Sequence, residues 1–137
     1  MLAEVGTDIT ELVAMVRDEN DEEKQTAARA LWNLAVNADN KIAIAQAGGI
    51  PPLVALVRDG TAAQKANAAR ALAKLALNAE NKTAISEAGG IPPLVALVRD
   101  GNDEQKRIAA GALGNLAHSA DNINKIAIAK GKREAGI

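Results

Sequence analysis

Apolar residues recur three and four positions apart in several short segments of the chain, and glycines separate many of these segments. This spacing predicts short amphipathic helices, each with one apolar face. The residues 48–60 (GGIPPLVALVRDG) return unchanged as residues 89–101, a step of 41 positions. The same step aligns the alanine-rich segments 27–31, 68–72 and 109–113. A repeat of this length predicts a solenoid, because one unit can bury its apolar face only against its neighbours.

Each repeat is predicted to contain three helices, named helix 1, helix 2 and helix 3 in chain order. Helix 1 covers residues 40–47 and 81–88, follows an acidic residue (Asp39 or Glu80), and ends at a Gly-Gly pair. Helix 2 starts at a Pro-Pro pair, where a missing N–H costs no hydrogen bond, and ends at the next glycine.

Helix 3 is the longest element of each repeat and covers about residues 21–36, 62–77 and 103–118. A residue suited to an N-cap, followed three positions later by Glu or Gln, precedes or opens each copy. This pattern resembles a capping box. The pairs are Asn20 with Glu23, Thr61 with Gln64, and Asn102 with Gln105.

The chain is predicted to form one all-α domain with two complete repeats and a partial unit at each end. The boundaries fall at about 7–37, 38–78, 79–119 and 120–137. The first unit has helix 2 and helix 3 without a helix 1. The last unit has a helix 1 at 122–129, with two residues inserted at Ile123 and Asn124 and no helix 2 after it. Both ends look cut or permuted.

Composition narrows the function classes. The 137 residues include 16 basic and 17 acidic side chains, one histidine, and no cysteine, phenylalanine or tyrosine. An even charge balance without stacking aromatics disfavours nucleic acid, and no apolar stretch approaches the ~20 residues of a membrane span. Reactive side chains cannot be grouped into a catalytic site, so the sequence predicts no enzyme activity, metal or cofactor.

The two terminal segments add little to this picture. The N-terminal residues lack the basic start and long apolar run of a signal peptide, so the predicted location is the cytosol or the nucleus. The basic segment 130–133 (KGKR) is interpreted as a solvated tail rather than a nuclear signal or a phosphate contact.

Comparison of the three copies of helix 3 separates two sides of this helix. Identical residues occupy positions 24/65/106, 27/68/109, 28/69/110, 31/72/113, 34/75/116 and 35/76/117. At about 100° per residue these positions share one side, which predicts the core between repeats. Differing residues form the opposite stripe, at positions 22/63/104, 25/66/107, 26/67/108, 29/70/111, 32/73/114, 33/74/115 and 36/77/118. Drift of exposed positions and selection for a ligand both explain this variation.

Three sequence signatures resemble the armadillo repeat over nearly the whole chain: Ala-Gly-Gly-Ile-Pro after helix 1, Leu-Val-Ala-Leu-Val in helix 2, and Ala-Leu-Trp-Asn-Leu-Ala (30–35) ending helix 3. The resemblance implies a right-handed α-solenoid whose concave groove, lined by successive third helices, holds an extended peptide. The family's groove asparagine corresponds to Asn33 and Asn115, whereas the middle copy has Lys74. Importin-α-like members carry tryptophan where this chain has Arg29, Arg70 and Gly111, which disfavours nuclear-signal binding of that type.

The differing stripe coincides with the groove that the resemblance implies, and it predicts a binding site for a protein or peptide. Aromatic and arginine side chains are common interface anchors, although Trp32 also fits a packing role against a neighbouring helix. Four basic groups outnumber Glu22 and Glu104, so the preferred ligands are acidic segments or segments with a C-terminal carboxylate. The candidate groove residues are Arg29, Trp32, Asn33, Asn67, Arg70, Lys74, Arg107, Ile108 and Asn115.

A second function class is a structural scaffold, engineered or excised from a longer array, whose copies associate head to tail. The first helix 2 is apolar and has no helix 1 ahead of it, and the last helix 1 has no helix 2 to pack on. Such contacts give rings or filaments unless the tail folds back on its own array. The apolar residues expected at these ends are Ile9, Leu12, Val13, Val16, Ile126 and Ile128.

Overall fold

The computed structural model describes the backbone of residues 8–135 and the side chains of residues 8–130. Within this part of the chain there are nine helices and no strand: α1 Ile9–Asp18, α2 Asp21–Leu34, α3 Ala38–Gln46, α4 Ile50–Asp59, α5 Ala62–Leu75, α6 Ala79–Glu87, α7 Ile91–Asp100, α8 Asp103–Leu116 and α9 Ala120–Ala135. Helices α3, α6 and α9 are copies of helix 1; α1, α4 and α7 of helix 2; and α2, α5 and α8 of helix 3. The predicted all-α solenoid is confirmed. The expected ends of the partial units, residue 7 and residues 136–137, lie outside the described residues, as do the side chains of 131–133.

The third helices form the spine of the array. Helix α5 lies between α2 and α8, and each third helix also packs on the helix 2 of its own repeat. The identical positions line these contacts: Ala28 and Leu31 in α2, and Ala69 and Leu72 in α5, are fully buried. Ala110 of α8 is exposed, because no further third helix covers it within the described residues. The prediction of an inter-repeat core on this side of helix 3 is confirmed.

A sharp bend of 84° separates helix 1 from helix 2 at the junction of α3 and α4. Gly48 has φ +80°, a left-handed conformation that glycine adopts without steric cost. Gly49 is required for a different reason, since a Cβ there would lie 2.7 Å from Cγ2 of Ile44. No single helix within residues 8–135 is long and apolar enough to cross a membrane. Helices α3 and α4 reach that length and composition only when they are taken together, as a pair with this bend between them.

The predicted bounds of helix 3 and helix 1 were wrong by about two residues. Helix 3 ends at Leu34, Leu75 and Leu116, and helix 1 starts at Ala38 and Ala79. The N-caps of helix 1 are Asn37 and Asn78, whose side chains accept hydrogen bonds from the N–H groups of Asn40 and Asn81. Helix 1 therefore begins directly after these asparagines, whose extended backbone is typical of an N-cap residue. Asp39 and Glu80 lie inside the first turn instead.

The capping boxes of helix 3 differ between copies. They are complete at Thr61 with Gln64 and at Asn102 with Gln105. In the first copy the Asn20 side chain accepts a hydrogen bond from the Glu23 N–H at 2.9 Å, which is one half of the motif. The prediction of a complete capping box was therefore wrong for the first copy of helix 3.

Buried amide side chains connect each repeat to the one before it. Gln64 Nε2 donates to the backbone oxygen of Asp21 at 2.8 Å, and Gln105 Nε2 donates to that of Ala62 at 3.1 Å. On helix 1, Asn81 Nδ2 donates to the backbone oxygen of Lys41 at 3.2 Å. Each of these three donors is at least 94% buried, so the bond satisfies a group that water cannot reach. Gln64 does this while its Oε1 accepts from the Thr61 N–H.

The last helix keeps the 41-residue step. Asn122 is 2% exposed and donates to the backbone oxygen of Lys82 at 3.2 Å, as Asn81 does one repeat earlier. Beyond it, Ile126 packs against the core 41 residues after the buried Ile85, whereas Ile128, which an insertion would place there, is 63% exposed. The two-residue insertion inferred at Ile123 and Asn124 was therefore wrong. The step therefore places Lys130 where Gly48 and Gly89 adopt a positive φ. A lysine takes that conformation poorly, which explains why α9 continues to Ala135 as one helix on α7.

The apolar residues expected to be unpartnered at the ends are largely covered within the chain. Leu12, Val13 and Val16 are buried, because α2, α3 and α4 all pack against α1. That part of the head-to-tail expectation was wrong. Ile9 and Ile126 are half-buried against the core, whereas Ile128 is 63% exposed.

Replacing Gln64 with glutamate should destabilise the fold. The variant loses the amide donor and sets a buried carboxylate against the Asp21 backbone oxygen, a cost of about 2 kcal/mol or more. Urea unfolding at low protein concentration measures the change.

Glu23→Gln is the matched control. Glu23 occupies the same position of helix 3 and is exposed, so its substitution should alter the free energy of unfolding by less than about 0.5 kcal/mol. Equal effects of the two substitutions would contradict the role assigned to the Gln64 amide.

Candidate functional site

The outward sides of α2, α5 and α8 form a continuous surface, which we call the groove face. It carries the positions that differ between the three copies of helix 3. A cavity of about 310 Å³ lies on this face and is lined by Gln25, Arg29, Trp32, Ala63, Ala66, Asn67, Arg70 and Glu104. Its lining includes Ala63 and Ala66 of α5, where the flanking copies have larger side chains. The short side chains of the middle repeat thus leave room between the neighbouring ones.

Arg70 is the central side chain of this cavity. Its guanidinium carbon lies 4.8 Å from the centroid of the Trp32 ring, a cation–π distance. Its Nη2 forms an ion pair with Oε2 of Glu104. Trp32 belongs to α2, Arg70 to α5 and Glu104 to α8, so one guanidinium connects three successive third helices. The Arg70 side chain retains 28% exposure and stays accessible from the cavity.

Trp32 combines the two roles left open by the sequence. The ring is half-buried and packs against the hydrophobic core, which orients it. Its outer side lines the cavity and supports Arg70. A ring held in this way can contact a ligand with little loss of side-chain entropy.

Two of the candidate asparagines are used in the joints between repeats. Asn67 is 8% exposed and donates from Nδ2 to the backbone oxygen of Gln25 at 3.2 Å. Asn115 donates from Nδ2 to the backbone oxygen of Ala73 at 2.8 Å. Asn33 is exposed. The amides of Asn67 and Asn115 therefore stabilise the stacking of the repeats. The Asn33 amide is more accessible to a peptide backbone.

The remaining candidates surround the cavity or lie further along α8. Arg29 and Arg107 are exposed, Lys74 is half-buried near the end of α5, and Ile108 is half-buried against the core. The groove face carries four basic groups together with Glu22 and Glu104, which leaves a net charge of +2 for these six groups. Repulsion by Glu23 raises the pKa of Glu19, which lies between α1 and α2 beyond the cavity. The described residues contain no group of three or more His, Cys, Asp or Glu side chains that could hold a metal ion.

Sequence reasoning selected Trp32 and Arg70 separately and missed their contact. Stepping 41 residues from Trp32 leads to Ala73, and Arg70 stands one helical turn before it. Stepping from Arg70 leads to Gly111, and Glu104 stands two turns before that. A search that combined the repeat step with whole helical turns would have grouped the three residues. The buried amides of Gln64 and Gln105 carried no such signal beyond the capping pattern.

Two consecutive segments, residues 37–77 and 78–118, match the family model of the armadillo/beta-catenin-like repeat. The chain belongs to the armadillo repeat family. The matched segments correspond to the units that carry α3–α5 and α6–α8. This armadillo chain has no match among curated proteins.

Solved structures with the same fold include designed and engineered proteins. An engineered protein is 35% identical and superposes with a TM-score of 0.85, over 91% of this chain and 52% of the other. A computationally designed armadillo repeat protein for modular peptide recognition is 32% identical, with a TM-score of 0.85 over 94% and 55%. A designed armadillo repeat protein in complex with the peptide (KR)4 is 31% identical, with a TM-score of 0.84 over 93% and 54%. The armadillo chain thus spans about half the length of these proteins.

Replacing Arg70 with alanine should expose the Trp32 ring. We expect a red-shifted emission and stronger acrylamide quenching, since Trp32 is the single tryptophan of the chain. The loss of unfolding free energy should not exceed about 2 kcal/mol, because a partly exposed cation–π contact and an exposed ion pair each contribute about 1 kcal/mol or less. Arg107→Ala provides the control on the same face, and an emission change as large as that of Arg70→Ala would contradict the stacking.

Proposed function

We propose that this armadillo repeat protein binds an extended peptide segment along the groove face. The observation that carries the proposal is the cavity that joins three repeats around Trp32 and Arg70. A rigid aromatic ring beside arginine N–H donors is the composition of an interface anchor point. The existence of similar designed proteins for modular peptide recognition, one of them in complex with a peptide, supports the same role. The proposal assigns no catalytic activity to the protein.

The proposed ligand is acidic or presents a C-terminal carboxylate. Arg29, Arg70, Lys74 and Arg107 outnumber the two glutamates of the face, and an arginine fork pairs well with a carboxylate. Glu22 and Glu104 would instead attract a basic peptide, and a similar designed protein forms a complex with the peptide (KR)4. Binding of acidic peptides must therefore be compared with binding of basic ones. Three third helices offer a short groove, so we expect dissociation constants on the order of 10 µM or weaker. The exclusion of nucleic acid and the cytosolic or nuclear location stay predictions.

Titration with acidic, neutral and basic peptides, followed by Trp32 emission, tests the proposed function. The acidic peptide should bind most tightly, because it neutralises the basic groups around the cavity. Reversing two of these charges, with Arg70→Glu and Lys74→Glu, should weaken its binding at least about tenfold.

Arg58→Glu with Arg99→Glu makes the same change in net charge on α4 and α7, away from the groove face, and serves as the control. Calorimetry should accompany the titration because Arg70→Glu itself alters the Trp32 emission. If every peptide leaves both signals unchanged, or if both double variants bind equally, the proposed site is wrong.

Head-to-tail association is a second candidate function, favoured by apolar side chains at both ends of the array. Ile123 and Ile128 on α9 are 52% and 63% exposed, and Leu34 is half-buried where Leu75 is fully buried. We propose that α2 of one copy can pack on α8 of another as α5 packs on α2. Glu23 opposes this contact, because it holds a carboxylate where the internal joints have the Gln64 amide.

Glu23→Gln should therefore strengthen self-association. The substitution restores the donor that the joint uses, so the average mass in light scattering should rise more steeply with concentration than it does for the unmodified protein. Glu22→Gln changes the same charge one residue away and should behave like the unmodified protein. Strict monomers in all three samples at high concentration would rule out this candidate.

A further inference from the structure

We propose that Glu104 is an internal competitor for the peptide carboxylate, and that it holds the ligand-binding edge of Arg70 in the unbound protein. This inference rests on the proposed function, since it concerns the same cavity. It assigns to Glu104 the control of affinity and charge selectivity. A ligand carboxylate binds by replacing the Glu104 carboxylate at the Arg70 guanidinium.

The geometry of Arg70 separates two modes of contact. The guanidinium carbon lies over the Trp32 ring, 4.8 Å from its centroid, and this cation–π attraction does not require an N–H hydrogen bond. The ion pair with Glu104 uses an N–H group at the edge of the guanidinium. Because the contact with the ring leaves these donors available, Trp32 can keep Arg70 oriented while one carboxylate is exchanged for another. The pair with Glu104 shows that the N–H donors at this edge bind a carboxylate.

Glu104 is suited to being displaced. Its side chain is 48% exposed, and ion pairs in such positions contribute little to stability. It lies in the first turn of α8, where the helix dipole stabilises a carboxylate that has turned toward solvent. Its release from Arg70 therefore costs little and leaves the α8 capping box, which uses Asn102 and Gln105, intact.

The cavity has room for the exchange. Arg70, Glu104 and the exposed Arg29 all line it, and Ala63 and Ala66 provide short side chains beside them. A carboxylate-bearing side chain entering here meets two guanidinium groups once Glu104 has moved. A basic side chain entering the cavity is attracted by Glu104 and repelled by Arg70.

Glu104→Gln tests the inference, because it removes the charge and keeps the size of the side chain. Its matched control is Glu22→Gln, which alters the same position of helix 3 in the first copy and the same net charge, at a residue that does not line the cavity. The probes are the blocked peptides (Asp-Ser)4, (Gln-Ser)4 and (Lys-Arg)4, titrated against each variant by calorimetry. Thermal unfolding of both variants verifies that the fold is retained.

We expect Glu104→Gln to bind (Asp-Ser)4 about fivefold more tightly than the unmodified protein does, and (Lys-Arg)4 more weakly. Glu22→Gln should change both affinities by less than about twofold. Equal gains in the two variants would overturn the inference in favour of a general charge effect. Weaker binding of (Asp-Ser)4 to Glu104→Gln would also overturn it, because Glu104 would then be positioning Arg70 for the ligand. If no peptide binds any variant, the proposed function fails together with this inference, whereas peptide binding without a Glu104 effect refutes the inference alone.

Discussion

The third helix of each repeat can bury its apolar side only against the third helices next to it, and the rest of the structure depends on this contact. Alanine and leucine at the same five positions of every copy keep α2, α5 and α8 close and in one register. Buried amides reinforce that register, because Gln64 and Gln105 must reach backbone oxygens of the preceding repeat. A shift between repeats would leave these polar groups unsatisfied in a dry interface.

The stacking also determines what the opposite side can do. Once one side of helix 3 is committed to the core, the outward side is free to vary, and its residues come from different repeats. Trp32, Arg70 and Glu104 meet although 72 positions separate the first from the last. Asn67 and Asn115 show the limit of this division, since they stand among varying positions and yet donate into the joints. A polar residue near the edge of helix 3 serves the joint or the groove according to which carbonyl it can reach.

The ends of the array show how much depends on single residues. The turn between helix 1 and helix 2 needs a left-handed glycine, present at Gly48 and Gly89 and replaced by Lys130 in the last unit. Without it α9 runs straight and packs on α7. At the first unit the amide of the capping box is replaced by Glu23, which is exposed because no third helix precedes α2 within the described residues. This position of helix 3 thus holds glutamine where two repeats pack together and glutamate where α2 has no preceding third helix in the described part of the chain.

The sequence by itself determined the repeat length, the three helices of each unit and the two sides of helix 3, because these follow from local periodicity, from glycine and proline stereochemistry, and from comparison of the internal copies. It also selected four of the eight residues that line the cavity, namely Arg29, Trp32, Asn67 and Arg70. Helix bounds were missed by two residues where Asn37 and Asn78, rather than the acidic residues, act as caps. Only the tertiary structure decided that Arg70 stacks on Trp32 and pairs with Glu104, that two candidate asparagines belong to the joints, and that the last helix has no insertion. These outcomes depend on the offset between neighbouring helices, which side-chain packing across repeats sets and which no local pattern records.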